Sequence, residues 1–106
     1  MKLTNKGTAA QPIRILGLSG PDGQRPVLDG DGVRLSGAGP TPRALMQVEG
    51  EYYVIENLEF KHARNGNNGA GVRFNGALNA TVRNCKITYC DMGLQGNDRE
   101  TATIEH

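Results

Sequence analysis

The stretch Tyr53-Val54-Ile55-Glu56-Asn57-Leu58-Glu59-Phe60-Lys61-His62-Ala63 has a counterpart in Ala80-Thr81-Val82-Arg83-Asn84-Cys85-Lys86-Ile87-Thr88-Tyr89-Cys90. With Asn57 set over Asn84, apolar residues meet at four places: Ile55 with Val82, Leu58 with Cys85, Phe60 with Ile87, and Ala63 with Cys90. Ala102-Thr103-Ile104-Glu105-His106 begins the motif again, with Ile104 under Val82. A second motif interleaves with it. Met46-Gln47-Val48-Glu49-Gly50 matches Val72-Arg73-Phe74-Asn75-Gly76, and Gly93-Leu94-Gln95-Gly96-Asn97 partly matches Gly71-Val72-Arg73-Phe74-Asn75. The repeat unit reads as strand, corner, strand, two-residue bend, strand. Its period of about 22 to 27 residues is that of a solenoid.

Such a unit cannot stand alone. Strand side chains alternate, so Met46 and Val48 point one way while Gln47 and Glu49 point the other. Ile55 and Leu58 both face inward only if the chain turns sharply at Glu56-Asn57, and Asn tolerates the left-handed backbone of such a bend. One unit has no hydrogen-bond partner for its strands. Placed about 4.8 Å from the next, it pairs along its length and buries a column of like side chains. Asn57 over Asn84 then forms a side-chain ladder. The competing fold is an antiparallel sandwich, which also uses short alternating strands but gives no reason for Asn at the same phase of successive units. The expected fold is therefore all-β: a right-handed, single-stranded parallel β-helix of about three to four coils. Residues 43–106 form the regular coils. Residues 1–42 form an irregular opening, with strands at Pro12–Leu16 and Pro26–Gly30 and loops at Gly17–Gly23 and Ser36–Pro42.

Composition agrees. Gly is 15 of 106 residues, Trp is absent and 37% of residues are hydrophobic, a profile of frequent turns rather than long helices. A formal charge of +1, with no clustered basic run, argues against nucleic acid as a partner. No run of about 18 apolar residues exists to span a membrane. The first residues do not read as a signal peptide. Cys85 and Cys90 fall at inward or corner positions and read as small packing residues, without the spacing of a redox or metal site.

Four phrases carry a resemblance to the pectate-lyase-like right-handed β-helix proteins: Gly7-Thr8-Ala9-Ala10-Gln11-Pro12-Ile13, Pro26-Val27-Leu28-Asp29-Gly30, Val54-Ile55-Glu56-Asn57-Leu58-Glu59-Phe60 and Val82-Arg83-Asn84-Cys85-Lys86-Ile87. The first two resemble the amino-terminal coil of that family, the last two its recurring strand-bend-strand. The resemblance implies a carbohydrate-active protein (a polysaccharide lyase or hydrolase), an acidic polysaccharide as partner, and a secreted, periplasmic or surface location. In lyase members sugar lies along one sheet, acidic residues hold calcium, and an Arg or Lys serves as base. The outward residues of the corresponding strands here are Gln47 and Glu49, Arg73 and Asn75, and Gln95. Arg73 and Glu49 are the candidates for catalysis, and all five are candidates for binding substrate. An exposed ion pair is the plainer reading of Glu49 beside Arg73. A calcium site wants six to eight oxygens from converging carboxylates, and this set does not supply them. No metal or cofactor is expected for the chain, calcium being implied only for a longer parent.

Other motifs read as structural. Asp29-Gly30-Asp31-Gly32 is a Gly-assisted turn rather than a cation loop. His62 is a corner histidine, and His106 stands apart from it. Ser19 and Ser36 lie outside any nucleophile elbow. Gly66-Asn67-Asn68-Gly69-Ala70-Gly71 lacks the Lys of a phosphate loop and reads as a connection. Asn79-Ala80-Thr81 matches an N-glycosylation acceptor. The last strand starts at Thr103 and stops at His106, where a bend is due. The expectation is of a stack truncated at its carboxyl end, which self-associates through that uncapped coil. Two functions follow: a carbohydrate-active fragment without turnover of its own, or a structural module whose purpose is assembly.

Overall fold

The computed structural model describes residues 1–31, 35, 43–96 and 102–105, the last four by their backbone. The loop expected at Ser36–Pro42, Ser36 itself, Gly32, Asn97 and His106 lie outside the described residues. The chain is all-β and every strand pair is parallel. In chain order the strands are β1 (Lys2–Leu3), β2 (Ile13–Leu16), β3 (Val27–Asp29), β4 (Ala44–Val48), β5 (Tyr53–Glu56), β6 (Glu59–Lys61), β7 (Ala70–Phe74), β8 (Ala80–Arg83), β9 (Lys86–Thr88), β10 (Met92–Gln95) and β11 (Ala102–Glu105).

These strands are dealt in rotation to three sheets, ordered β1-β4-β7-β10, β2-β5-β8-β11 and β3-β6-β9. Each strand hydrogen-bonds to the strand three elements away in sequence. Three consecutive strands make a tier. The register joins Met46 to Val72 and Leu94, Ile55 to Ile15, Val82 and, through Val82, Ile104, and Phe60 to Leu28 and Ile87. The pairs among Met46, Val72 and Leu94, among Ile55, Val82 and Ile104, and between Phe60 and Ile87 are those that the two interleaved sequence motifs align; those with Ile15 and Leu28 are not. The β1 strand, which those motifs do not include, pairs Lys2 with Gln47 and Leu3 with Val48.

The core lies between the sheets. Met46, Val48, Ile55, Phe60 and Val72 are the largest side chains with almost no exposure, and Leu58, Ala63, Phe74 and Val82 join them. Cys85 and Cys90 are half-buried free thiols packed against this cluster.

The corners explain how such short strands change direction. Among the described residues, six that are not glycine have positive φ: Tyr52, Asn57 and His62 in one tier, and Asn79, Asn84 and Tyr89 in the next. Each lies 27 positions before its counterpart, so every corner of the tier repeats its left-handed residue. Where the chain passes closest to the neighbouring tier it needs glycine. A Cβ on Gly17 would strike the Asn57 carbonyl, and one on Gly50 the Asn5 carbonyl.

Candidate functional site

On the outer side of the β1-β4-β7-β10 sheet, the register sets Lys2, Gln47, Arg73 and Gln95 in one file across the four strands. Glu49 and Asn75 follow two positions further, just past the ends of β4 and β7. Of the five expected residues, Gln47, Arg73 and Gln95 share one file and Glu49 touches it through Gln47, but not as an open charged surface. Gln47 is only 5% exposed, although strand alternation predicts that it faces solvent. All five residues of β4 are buried, so alternation there separates inner from outer side chains without separating dry from wet.

Burial of Gln47 is tolerated because both ends of its amide are matched. The Arg73 Nη1 donates to Gln47 Oε1 at 3.2 Å, and Gln47 Nε2 donates to Glu49 Oε2 at 2.5 Å. The anticipated ion pair between Glu49 and Arg73 is replaced by this relay: among the described residues no direct contact joins them, and Gln47 stands between. Two buried atoms of the file lack partners among the described residues, Arg73 Nε and Gln95 Oε1. They belong to residues that are register neighbours. Asn75 is exposed, and its backbone N–H donates to the Val48 carbonyl at 2.8 Å.

The oxygen donors of this face do not fit calcium. Its one carboxylate, Glu49, is engaged by Gln47, and the ion needs several such groups. Among the described residues, no cluster of three His, Cys, Asp or Glu could hold a metal.

The corners carry the other polar constellations. Asn84 Nδ2 donates to Asn57 Oδ1 at 3.3 Å, and Asn57 Nδ2 donates to the Gly17 carbonyl at 2.8 Å and to Ser19 Oγ at 3.0 Å. The far end of this ladder is taken by a residue that the sequence did not single out. Arg25 donates through Nη2 to Asn84 Oδ1 at 2.7 Å and through Nε to the Asn84 carbonyl at 2.9 Å.

At the next corner His62 Nδ1 is 2.8 Å from Asp29 Oδ1, and its ring stacks on that of Tyr89, with centroids 5.5 Å apart and planes 15° from parallel. The N–H of Asp31 donates to Asp29 Oδ1 at 2.9 Å, the hydrogen bond of an Asx turn. That N–H, and then His62, hold the Asp29 carboxyl below its ordinary range. In the Gly-rich connection, Asp91 Oδ2 accepts from the backbone N–H groups of Asn65, Gly66 and Gly69 at 2.8, 3.1 and 3.2 Å. These donors, Asn65 first, lower its pKa. The amide nest, a concavity of the kind that meets a phosphate, is filled by a carboxylate of the chain itself.

Compared with protein-family models, with curated proteins and with solved structures, the chain matches none.

Proposed function

We propose that the chain is a right-handed parallel β-helix whose β1-β4-β7-β10 face binds an acidic polysaccharide. The helical reading is supported by the strict rotation of strands among three parallel sheets and by the 27-residue recurrence of all three corners. The hand follows from the strong preference of parallel crossovers for the right-handed sense. Each triplet of strands is then one coil, and the four strands of the face span roughly 14 Å, about three sugar units.

One observation carries the ligand: an unmatched donor and an unmatched acceptor on register-neighbouring residues, Arg73 Nε and Gln95 Oε1. A hydroxyl group can accept from the first and donate to the second, whereas a ligand with acceptors alone leaves Gln95 unmatched. A uronate unit offers hydroxyls together with a carboxylate for the guanidinium, a charge-assisted contact. Each buried polar atom without a partner costs about 1–3 kcal/mol, so filling both favours the bound state. Lys2, at the edge of the file, adds positive charge. Glu49 and Arg73 keep the roles of acid–base candidates, but with Gln47 joining them the face is better built to hold a polymer than to turn it over.

The test is a titration with oligogalacturonates and alginate oligomers alongside neutral oligosaccharides of equal length, at two salt concentrations. Acidic oligomers should bind more tightly, and Arg73→Gln should weaken that binding about tenfold, the loss of one charge-assisted contact. Incubation with the same polymers should give no unsaturated product. Absence of saturable binding, or binding indifferent to Arg73→Gln, would sink the proposal; strong self-association without polymer binding would favour an assembly role in its place.

A further inference from the structure

Asparagine followed by glycine is prone to react with itself, because glycine has no Cβ to keep its nitrogen from the side chain before it. The sequence holds three such pairs, Asn65-Gly66, Asn68-Gly69 and Asn75-Gly76. In the reaction the glycine nitrogen loses its proton and attacks the asparagine Cγ. A new N–Cγ bond closes a cyclic imide, the Cγ–Nδ2 bond breaks, and Nδ2 takes up a proton and leaves as ammonia. Water then opens one of the two imide carbonyls, giving aspartate or isoaspartate.

Two of these pairs share one carboxylate. Asp91 Oδ2 accepts from the Gly66 N–H at 3.1 Å and from the Gly69 N–H at 3.2 Å, and these are the two nitrogens that the reaction needs. Beside that carboxylate their deprotonation is opposed, since an amide anion would form next to a negative charge. The carboxamides are pinned as well. Asn65 Nδ2 donates to Asn68 Oδ1 at 2.7 Å, and Asn65 Oδ1 accepts from the N–H groups of Asn67 and Asn68 at 2.9 and 2.7 Å. Closing the imide at Asn65 expels the Nδ2 that holds Asn68; closing it at Asn68 moves the oxygen that holds Nδ2.

Asp91 is seated by a strand that opens easily. It immediately precedes β10, which ends its sheet among the described residues and is exposed or half-buried at every position. The seat consists of the Asp91 N–H donating to the Ala63 carbonyl at 3.0 Å and the Met92 N–H to the Gly69 carbonyl at 2.9 Å. When β10 leaves, the carboxylate leaves with it. We infer that Asn65 and Asn68 are latent deamidation sites guarded by Asp91, so that opening of β10 converts them to aspartate and isoaspartate. The change runs one way. Isoaspartate lengthens the backbone of the connection between β6 and β7, and either product adds a negative charge to the nest that must take Asp91 back. The strand then reseats less readily, and the chain carries a chemical record of how often it has opened. Nothing in this depends on what the Arg73 face binds.

The experiment incubates the whole chain in mildly alkaline buffer and follows each Asn-Gly pair by peptide mass spectrometry, with fragmentation that tells isoaspartate from aspartate. Wild type in denaturing urea gives the unguarded rates. Folded wild type should react at Asn65 and Asn68 at least tenfold more slowly than in urea, the protection expected of a hydrogen bond to a charged group. Asp91→Ala should restore most of the urea rate at both sites, and Asp91→Asn, which keeps a neutral acceptor, should fall between. Asn75 is the internal reference: its rate, whatever its value in the wild type, should be the same in Asp91→Ala, which separates loss of the guard from loss of the fold. Leu94→Ala, which trims a β10 side chain packed against the core, should speed Asn65 and Asn68 severalfold with Asp91 intact. Folded wild type reacting as fast as in urea overturns the inference, as do rates at Asn65 and Asn68 indifferent to both Asp91 substitutions. Acceleration of all three pairs in step in Asp91→Ala and Asp91→Asn also overturns it, and indifference to Leu94→Ala removes the link to β10.

Discussion

Asn84 performs three tasks at one corner: it adopts φ 51°, donates to Asn57, and accepts from Arg25. Substitutions can separate them. Asn84→Gly keeps the left-handed backbone and removes both side-chain bonds, which should cost about 1 kcal/mol at this exposed position. Asn84→Ala also strains the bend and should cost about 2 kcal/mol. Urea unfolding of the two variants checks the order; equal losses would mean that the corner conformation contributes nothing. The alignment of Asn57 over Asn84 was legible because Asn marks a left-handed bend in the sequence itself. The two companion corners were less legible: His62 reads as a corner histidine, but Tyr52 and Tyr89 are residues no local rule places at positive φ. Arg25 was invisible for another reason: it reaches a residue 59 positions away, and nothing in its neighbourhood announces a partner. The same limit applies to the outward file. Alternation gave the correct side for Gln47, but its burial depends on what lies across the sheet.

At the scale of elements, what holds a three-residue strand is the pair of strands it lies between. The β6 strand pairs with β3 and β9, and its Phe60 is wholly buried. Phe60→Ala removes the largest buried side chain of that sheet and should cost about 3–5 kcal/mol. Small domains have only about 5–15 kcal/mol to lose, so the variant should be largely unfolded in mild urea that leaves the wild type intact. A shift of the midpoint equivalent to less than about 1 kcal/mol would show that the neighbouring tiers close over the gap. Connections are held by other means. The Asn65–Gly69 segment reads as a plain loop from its composition, yet three of its N–H groups converge on Asp91. These bonds favour the carboxylate, so its folded pKa is below the unfolded value near 3.9. By linkage its contribution is present above that unfolded value and is lost as pH falls through the lower, folded one. The amide shifts of Gly66 and Gly69 should therefore titrate together with a midpoint below 3.9, and Asp91→Asn should abolish the transition while leaving an acceptor in place. A midpoint at or above the ordinary value would contradict the role assigned to these hydrogen bonds.

Across the whole molecule, the repeat distance governs how stability is distributed. Partners in the regular tiers are 22, 26 or 27 positions apart, as Val82 is 22 from Ile104 and 27 from Ile55 and Met46 is 26 from Val72, whereas Ile15 and Ile55 are 40 apart. The longer separation contains the Gly17–Gly23 loop and the segment before β4, which is why the opening tier follows the motif so poorly in sequence while keeping its register in space. On the β-helix reading proposed above each tier touches only its neighbours, so stability approximates a sum of unit and interface terms and varies along the axis. The β4 and β7 strands are almost wholly buried, while β1 and β10 are exposed or half-buried at every residue. Opening β10 removes one interface; opening β7 removes two. Native-state hydrogen exchange should then show a gradient, with the slowest amides in β4, β5, β7 and β8 and progressively faster ones toward β1 and β10. Phe60→Ala should depress protection most in the tiers on either side of β6 and should lower the ceiling of the slowest class. If all eleven strands instead exchanged with one common free energy, the chain would be opening as a single block, and the tier-by-tier account of its stability would fail with the nearest-neighbour picture of the fold.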